Sequence, residues 1–454
     1  MNVFLKKKIN IQQSCLLTLG GLSTILLVLL VNISFIQLVA ISFVIYFLIK
    51  IILDVTNKFP ILEIVLFING VQIILGPIWV YTFLVNDSDH ASYVSLNEYL
   101  LIALPGYIFF SIGCLFHSKI ILDKNEVRKV VSKKRNLFYL KIFYFAGLSG
   151  LTMVLLMPSV FDFIFNILGG IAVSISIYFL YSKSIKYKYI YMIMIYSVIV
   201  LEGIIHGIFA LLIAYSFLLL VFLPNLFSWS KKKILLFLFC GVMGIYTLNT
   251  VKYAYRELVW SDSKRDFDVM GYLNLLFTTP LYNKDGNTND DKFIKRFSLG
   301  LVNSQIYKNV PENQPHTNGK ELISDFRKNI LPRFFFPDKQ PLDTRKNYML
   351  YTGFYLPENT SVGINSFGIA YAEFGVLGSY LFMLLFGLLL SFIFNQYVRQ
   401  YKKTNNVMYL IFIPFIFMPF FNAETEFVGV INGSIKTILF MFLVFYTFKL
   451  LKVR

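Results

Sequence analysis

Long apolar runs recur along this chain, separated by short polar turns, and alternate turns carry Lys or Arg. A helix needs about 20 mostly apolar residues to cross a hydrocarbon core. Twelve runs approach that length: 15–31, 34–52, 60–84, 98–116, 137–156, 161–181, 189–201, 207–223, 234–248, 375–394, 407–421 and 431–448. No period-two alternation recurs, so a β-barrel is not expected. Of the 454 residues, 57% are hydrophobic and 15% charged, against about 25% charged in a typical soluble domain. That balance excludes a disordered chain and an ordinary soluble enzyme. The expectation is an all-α polytopic membrane protein of about 12 transmembrane helices with one large extracytoplasmic loop.

Charge position sets the orientation. With the N terminus inside, the inward turns hold Lys6, Lys7, Lys8, Lys50, Lys58, the 119–135 group, Lys183, Lys186, Lys188, Lys231, Lys232, Lys233, Arg399, Lys402, Lys403 and the C-terminal cations. The short outward turns hold none. The net charge of +17 is therefore read as topology, and nucleic acid is not expected as a partner. Both termini are placed in the cytoplasm, and the run 15–31 is read as a retained anchor rather than a cleaved signal. For a bacterium this is the inner membrane. Cys15, Cys114 and Cys240 all lie in apolar runs and suggest no disulfide framework.

Three parts follow: residues 1–249 with nine spans, 250–365 as the outer loop with amphipathic helices, and 366–454 with three spans. The loop is far longer than an ordinary connection, so it is expected to carry function. Leu322, Phe326 and Ile330 recur four apart after Thr317 and Asn318, and Pro332 ends the pattern. This predicts an amphipathic helix lying on the bundle or at the membrane surface. The run Phe334, Phe335, Phe336 suits an interface. Arg256, Arg327, Arg333 and Arg345, with Lys339, supply planar or point cations suited to phosphate oxygens; the plainer alternative is solvated surface charge.

Ionisable residues near spans are functional candidates. Glu202 and His206 stand four apart at an outer turn, so the carboxylate can orient the imidazole as acid or base. Glu373 immediately precedes a span, and Lys436 lies within one, placed to reach a lipid phosphate. No line of charges crosses the bundle, which counts against ion-coupled transport. The pairs Asp87/Asp89 and Asp266/Asp268 could hold a divalent ion, but are read as ordinary loop carboxylates. No metal or other cofactor is expected.

The stretch Asn329-Ile330-Leu331-Pro332-Arg333-Phe334-Phe335-Phe336-Pro337-Asp338-Lys339 resembles a segment of bacterial O-antigen polymerases, the oligosaccharide repeat-unit polymerases. Thr360-Ser361 and Ala370-Tyr371-Ala372-Glu373-Phe374-Gly375-Val376-Leu377-Gly378 resemble that family's later motif, which runs into a span. The likeness covers about fifty residues in motif and the whole chain in span layout. One departure is Gly203-Ile204-Ile205-His206-Gly207, where His206 stands in place of an expected Arg.

The resemblance implies transfer of a growing glycan from one undecaprenyl-pyrophosphate carrier onto the sugar of the next lipid-linked repeat unit, with inversion. It implies a flippase and a chain-length regulator as partners, beside membrane lipid. On this reading Arg333 and Arg345, with Arg256, Arg327 and Lys339, hold the pyrophosphate. Glu373 or His206, with His316 as a further possibility, takes the hydroxyl proton. Tyr371 packs against sugar and Lys436 reaches a lipid phosphate. The alternatives are an O-antigen ligase, which uses the same donor with a different acceptor, and a polysaccharide flippase or other transporter.

Overall fold

The computed structural model describes residues 34–84, 93–117, 124–156, 162–206, 210–261, 297–330, 344–358, 360, 362–404 and 406–450. The regular elements among them are all helical. The bundle begins with α1 (Phe35–Asp54), α2 (Ile61–Gly70), a π-helical turn (Val71–Leu75), α3 (Gly76–Phe83) and α4 (Leu96–Leu115). It continues through α5 (Lys124–Val131), α6 (Lys134–Leu156), α7 (Asp162–Tyr181), α8 (Lys188–His206), α9 (Ala210–Phe227) and α10 (Lys231–Ser261). Three short helices follow: α11 (Gly300–Asn309), α12 (Lys320–Ile330) and α13 (Thr344–Thr352). Last come α14 (Ser366–Thr404), α15 (Val407–Phe417), a 3-10 turn (Met418–Phe421) and α16 (Phe427–Leu450).

Eight helices among the described residues are long and apolar enough to cross a membrane. These are α1, the α2–α3 pair taken as one, α4, α6, α7, α8, α14 and α16. Two shorter apolar helices, within α9 and across α15 with its 3-10 turn, join them. The expected first span, 15–31, lies outside the described residues.

The apolar sequence explains why these segments are helices and why they stay together. In hydrocarbon the backbone must satisfy its own hydrogen bonds, and a helix does so locally. Starts are set by side chains where water competes: Ser34 and Ser95 each cap a helix, answered three residues on by Gln37 and Glu98. The α4–α14 seam is close because two glycines meet there. A Cβ on Gly113 would lie 2.4 Å from the Leu384 carbonyl oxygen, and one on Gly387 2.3 Å from that of Phe110. Only a bare backbone fits such an approach.

The short helices α11, α12 and α13 form a cap on one end of the bundle. α11 packs on α13 and α14, while α12 packs on α14 and α16. The amphipathic helix expected around Leu322, Phe326 and Ile330 is α12, and it lies on the bundle. It starts at Lys320 rather than at Thr317 because Asn318 and Gly319 take positive φ angles, 52° and 84°, that turn the chain into the helix.

Candidate functional site

Helix α14 is two legs. Gly375, at φ 69° and ψ −170°, breaks it after residues 366–374. This backbone conformation is open to glycine and strained for other residues. The first leg is buried along 366–373 and serves as the pillar on which the cap stands. At its end sits Glu373, 0% exposed.

Four groups donate to the Glu373 carboxylate. They are the Thr317 hydroxyl, the Gly319 amide at 2.7 Å, the Leu322 amide at 2.9 Å and the Tyr351 hydroxyl at 2.7 Å. Its backbone carbonyl accepts a fifth bond, from the Asn318 amide at 2.9 Å. The amide donors lie at the start of α12, where a helix leaves N–H groups unsatisfied and favours negative charge. Glu373 is thus a cap supplied from a distant part of the chain. With four donors on its two oxygens, the carboxylate is committed to holding the cap, an arrangement suited to a positioning residue.

The neighbours of Glu373 are equally engaged. His316 places Nδ1 3.2 Å from the Ala372 carbonyl oxygen, and its ring meets Tyr371 edge-on at 5.7 Å. Tyr371 donates to the Val310 carbonyl at 3.1 Å and packs on Tyr307 at 4.7 Å. It is a buried brace between cap and pillar.

The two helices carrying cations are tied to one another. Lys346 on α13 pairs with Glu321 on α12 at 3.1 Å, and the Asn347 amide donates to Asp325 at 2.8 Å. Burial pushes the Asp325 carboxyl above the ordinary aspartate range, against the pull of the Asn347 bond and of Lys328. Arg327 and Lys328 point outward from α12 and are exposed.

Arg345 is part-buried and fixed. Its Nε donates to the Leu356 carbonyl at 2.6 Å, and its guanidinium lies 5.5 Å from the centroid of the Tyr355 ring. Its two terminal nitrogens make no hydrogen bond among the described residues, so the N–H donors they carry are not used there. Tyr355 is 75% exposed. Beside it Phe354 meets Tyr93 at 5.1 Å, both part of the same accessible surface. The chain thus presents an oriented cation next to open aromatic faces.

Other expected site residues are dispersed. Arg333 and Lys339, the run Phe334 to Phe336 and both aspartate pairs lie outside the described residues. Arg256 and His206 fall in α10 and α8, where the backbone alone is described. Lys436 is exposed on α16. Glu202 is part-buried on α8, and its Oε2 has no hydrogen-bond partner among the described residues.

The sequence reading passed over a polar junction inside the bundle. Gln72 lies about halfway along the α2–α3 segment, in the π-helical turn. Its backbone oxygen accepts from the Leu299 amide at 3.0 Å, and its side-chain oxygen accepts from the Ala423 amide at 2.7 Å. Asn69 donates to the Phe420 carbonyl at 3.0 Å, and Tyr99 donates to the Ile73 carbonyl at 2.9 Å. The segment entering the cap and the turn between α15 and α16 therefore both dip to the same break in a helix. Such π-helical breaks are common at functional sites. The signal in the sequence was Gly70, Gly76 and Pro77 around two amides in an apolar run.

A second charged group lies at the opposite end of the bundle. Glu63 on α2 is 3.1 Å from Lys50 on α1 and 3.5 Å from His117 at the end of α4. The chain belongs to a family defined by a domain of unknown function, DUF8712, whose model matches residues 80–453. No curated protein and no solved structure matches the chain.

Proposed function

We propose that this member of the DUF8712 family polymerises lipid-linked oligosaccharide repeat units on the outer face of a bacterial inner membrane. The full chain has about twelve spans and one large extracytoplasmic loop, with both termini in the cytoplasm. The cap end of the bundle is then the outer end. The substrates are two undecaprenyl-pyrophosphate-linked oligosaccharides, and the partners are a flippase that delivers them and a chain-length regulator.

The observation that carries this reading is Arg345. Its guanidinium is set by the Leu356 carbonyl and the Tyr355 ring, with its terminal nitrogens unbonded among the described residues. A fixed cation aimed at a pyrophosphate stabilises the charge that develops as the anomeric bond breaks, without reorganisation at the moment of reaction. Arg327 and Lys328 on the adjoining helix add positive potential at the same end. Open aromatic faces at Tyr93, Phe354 and Tyr355 suit the apolar faces of sugar rings. The second sugar hydroxyl attacks the anomeric carbon in a single displacement, and the carrier pyrophosphate leaves with the bonding electron pair.

The test is deletion in the native host, with the surface glycan resolved on a gel. Single repeat units on the normal acceptor are the expected result. Lipid-linked polymer that never reaches the acceptor would identify a ligase instead, and repeat units trapped on the inner leaflet a transporter.

A further inference from the structure

The polymerase reading leaves a proton to be taken from the attacking hydroxyl, and Glu373 is already occupied by four donors. Several other carboxylates at this end are engaged among the described residues. Glu321 pairs with Lys346, Glu312 with Lys308, and Asp325 accepts from Asn347. Glu426 is buried, 4% exposed. Glu424 differs from these in being open, from the exposed Glu358 in being partly enclosed, and from Glu202 on α8 in lying on a turn that leads into a helix packed on the cap. It is half-buried, and its carboxylate makes no hydrogen bond or ion pair among the described residues.

The backbone that carries Glu424 is held from three sides. The Ala423 amide is anchored on Gln72, at the break inside the bundle, at 2.7 Å. The Glu424 amide donates to the Asn422 side chain at 3.2 Å. The Glu424 carbonyl oxygen faces Gly363, close enough that a Cβ there would come within 2.3 Å of it. Gly363 belongs to the chain that returns from Leu356, the anchor of Arg345, towards α14. A rigid backbone with an open side chain is what an oriented catalytic group requires.

The same turn adjoins the cations. Phe427, at the start of α16, meets Phe326 of α12 with ring centroids 5.6 Å apart. Arg327 follows Phe326 directly in α12, and the acidic turn 422–426 leads directly into Phe427, so the two segments approach one another through this ring contact.

Resting on the polymerase reading, we infer that Glu424 is the general base for the acceptor sugar. The hydroxyl oxygen forms its bond to the anomeric carbon of the donor. The bond from that carbon to the phosphate oxygen breaks, its electron pair stays with the pyrophosphate, and the hydroxyl proton passes to the Glu424 carboxylate.

The experiment uses the full chain reconstituted in vesicles with synthetic undecaprenyl-pyrophosphate-linked repeat units, product length being read on a gel. Glu424→Gln is expected to lower kcat by about 100-fold or more, the usual contribution of a positioned base, while KM stays within about twofold. Glu424→Ala is expected to regain turnover with added formate, which a merely structural role would not produce. Glu358→Gln, an exposed carboxylate on the same return segment, is expected to match wild type. Wild-type turnover in Glu424→Gln, or loss without formate rescue in Glu424→Ala, would overturn the assignment of Glu424 alone. A wild-type chain that forms no polymer would overturn the polymerase reading and this inference together.

Discussion

The hydroxyl of Tyr351 donates to the Glu373 carboxylate at 2.7 Å, joining the last turn of α13 to the end of the α14 pillar. Glu373 also holds the start of α12, so one carboxylate ties two cap helices to the bundle. Removing it leaves several donors unsatisfied in a buried place, each costing about 1–3 kcal/mol. Glu373→Ala is expected to destabilise the cap by about 3–5 kcal/mol in sum. Tyr351→Phe is expected to cost about 1–2 kcal/mol. Limited proteolysis in detergent, with cleavage mapped to 297–358, checks both. A protected cap in Glu373→Ala would show that the carboxylate is dispensable for packing.

Asp325 gives the cap a pH dependence whose sign is fixed by its raised carboxyl. The folded chain holds that proton more tightly than the unfolded chain. Stability therefore falls as pH rises from the ordinary aspartate range to the raised value, and the full cost persists above it. Asp325→Asn keeps an oxygen for the Asn347 amide and removes the titration. The variant is expected to be at least as stable as wild type at neutral pH, with the difference closing in acid. Thermal unfolding of both proteins across pH is the measurement, and parallel curves would contradict this assignment.

Gln72 should matter although it faces no open surface. Gln72→Leu removes the acceptor for the Ala423 amide and leaves a donor buried in the bundle. Polar contacts between helices in membranes contribute about 0.6 kcal/mol on average and up to about 1.7 kcal/mol. A loss of about 1–2 kcal/mol is expected, read by thermal unfolding in detergent. The same variant is expected to lower kcat as well, because it frees the turn that carries the Glu424 carboxylate.

The contrast between α12 and Gln72 shows which features were readable in the chain. Leu322, Phe326 and Ile330 advertise an amphipathic helix because their common face is set by local spacing. The apolar runs advertise spans because burial in lipid is a property of composition. Gln72 has no such signature. Its partners, Leu299 and Ala423, are far away in sequence, and an amide in an apolar run reads as an isolated exception until the fold supplies them. Glu373 was visible as a motif residue beside Gly375, but its role depends on Thr317, Gly319, Leu322 and Tyr351, none of which the motif contains. Glu424 carried no sequence signal, because the absence of a partner among the described residues is a property of the assembled structure alone.

Arg345 provides the sharpest test of the proposed chemistry. Its Nε is committed to the Leu356 carbonyl and its plane lies over Tyr355, so charge, donor fork and stacking act together. Lys keeps the charge but has neither the fork nor the flat face. Arg345→Ala is expected to abolish polymer while leaving the protein in the membrane, and Arg345→Lys to retain a few per cent of turnover or less. Tyr355→Leu removes only the stacking partner and is expected to lower kcat by about 3–10-fold, in line with an exposed cation–π contact of about 0.5–1 kcal/mol plus lost orientation. The readout is the glycan ladder in cells and turnover in vesicles. A normal ladder from Arg345→Ala would remove the fixed cation from the mechanism, because a leaving pyrophosphate that does not need this guanidinium must be stabilised from another side of the site.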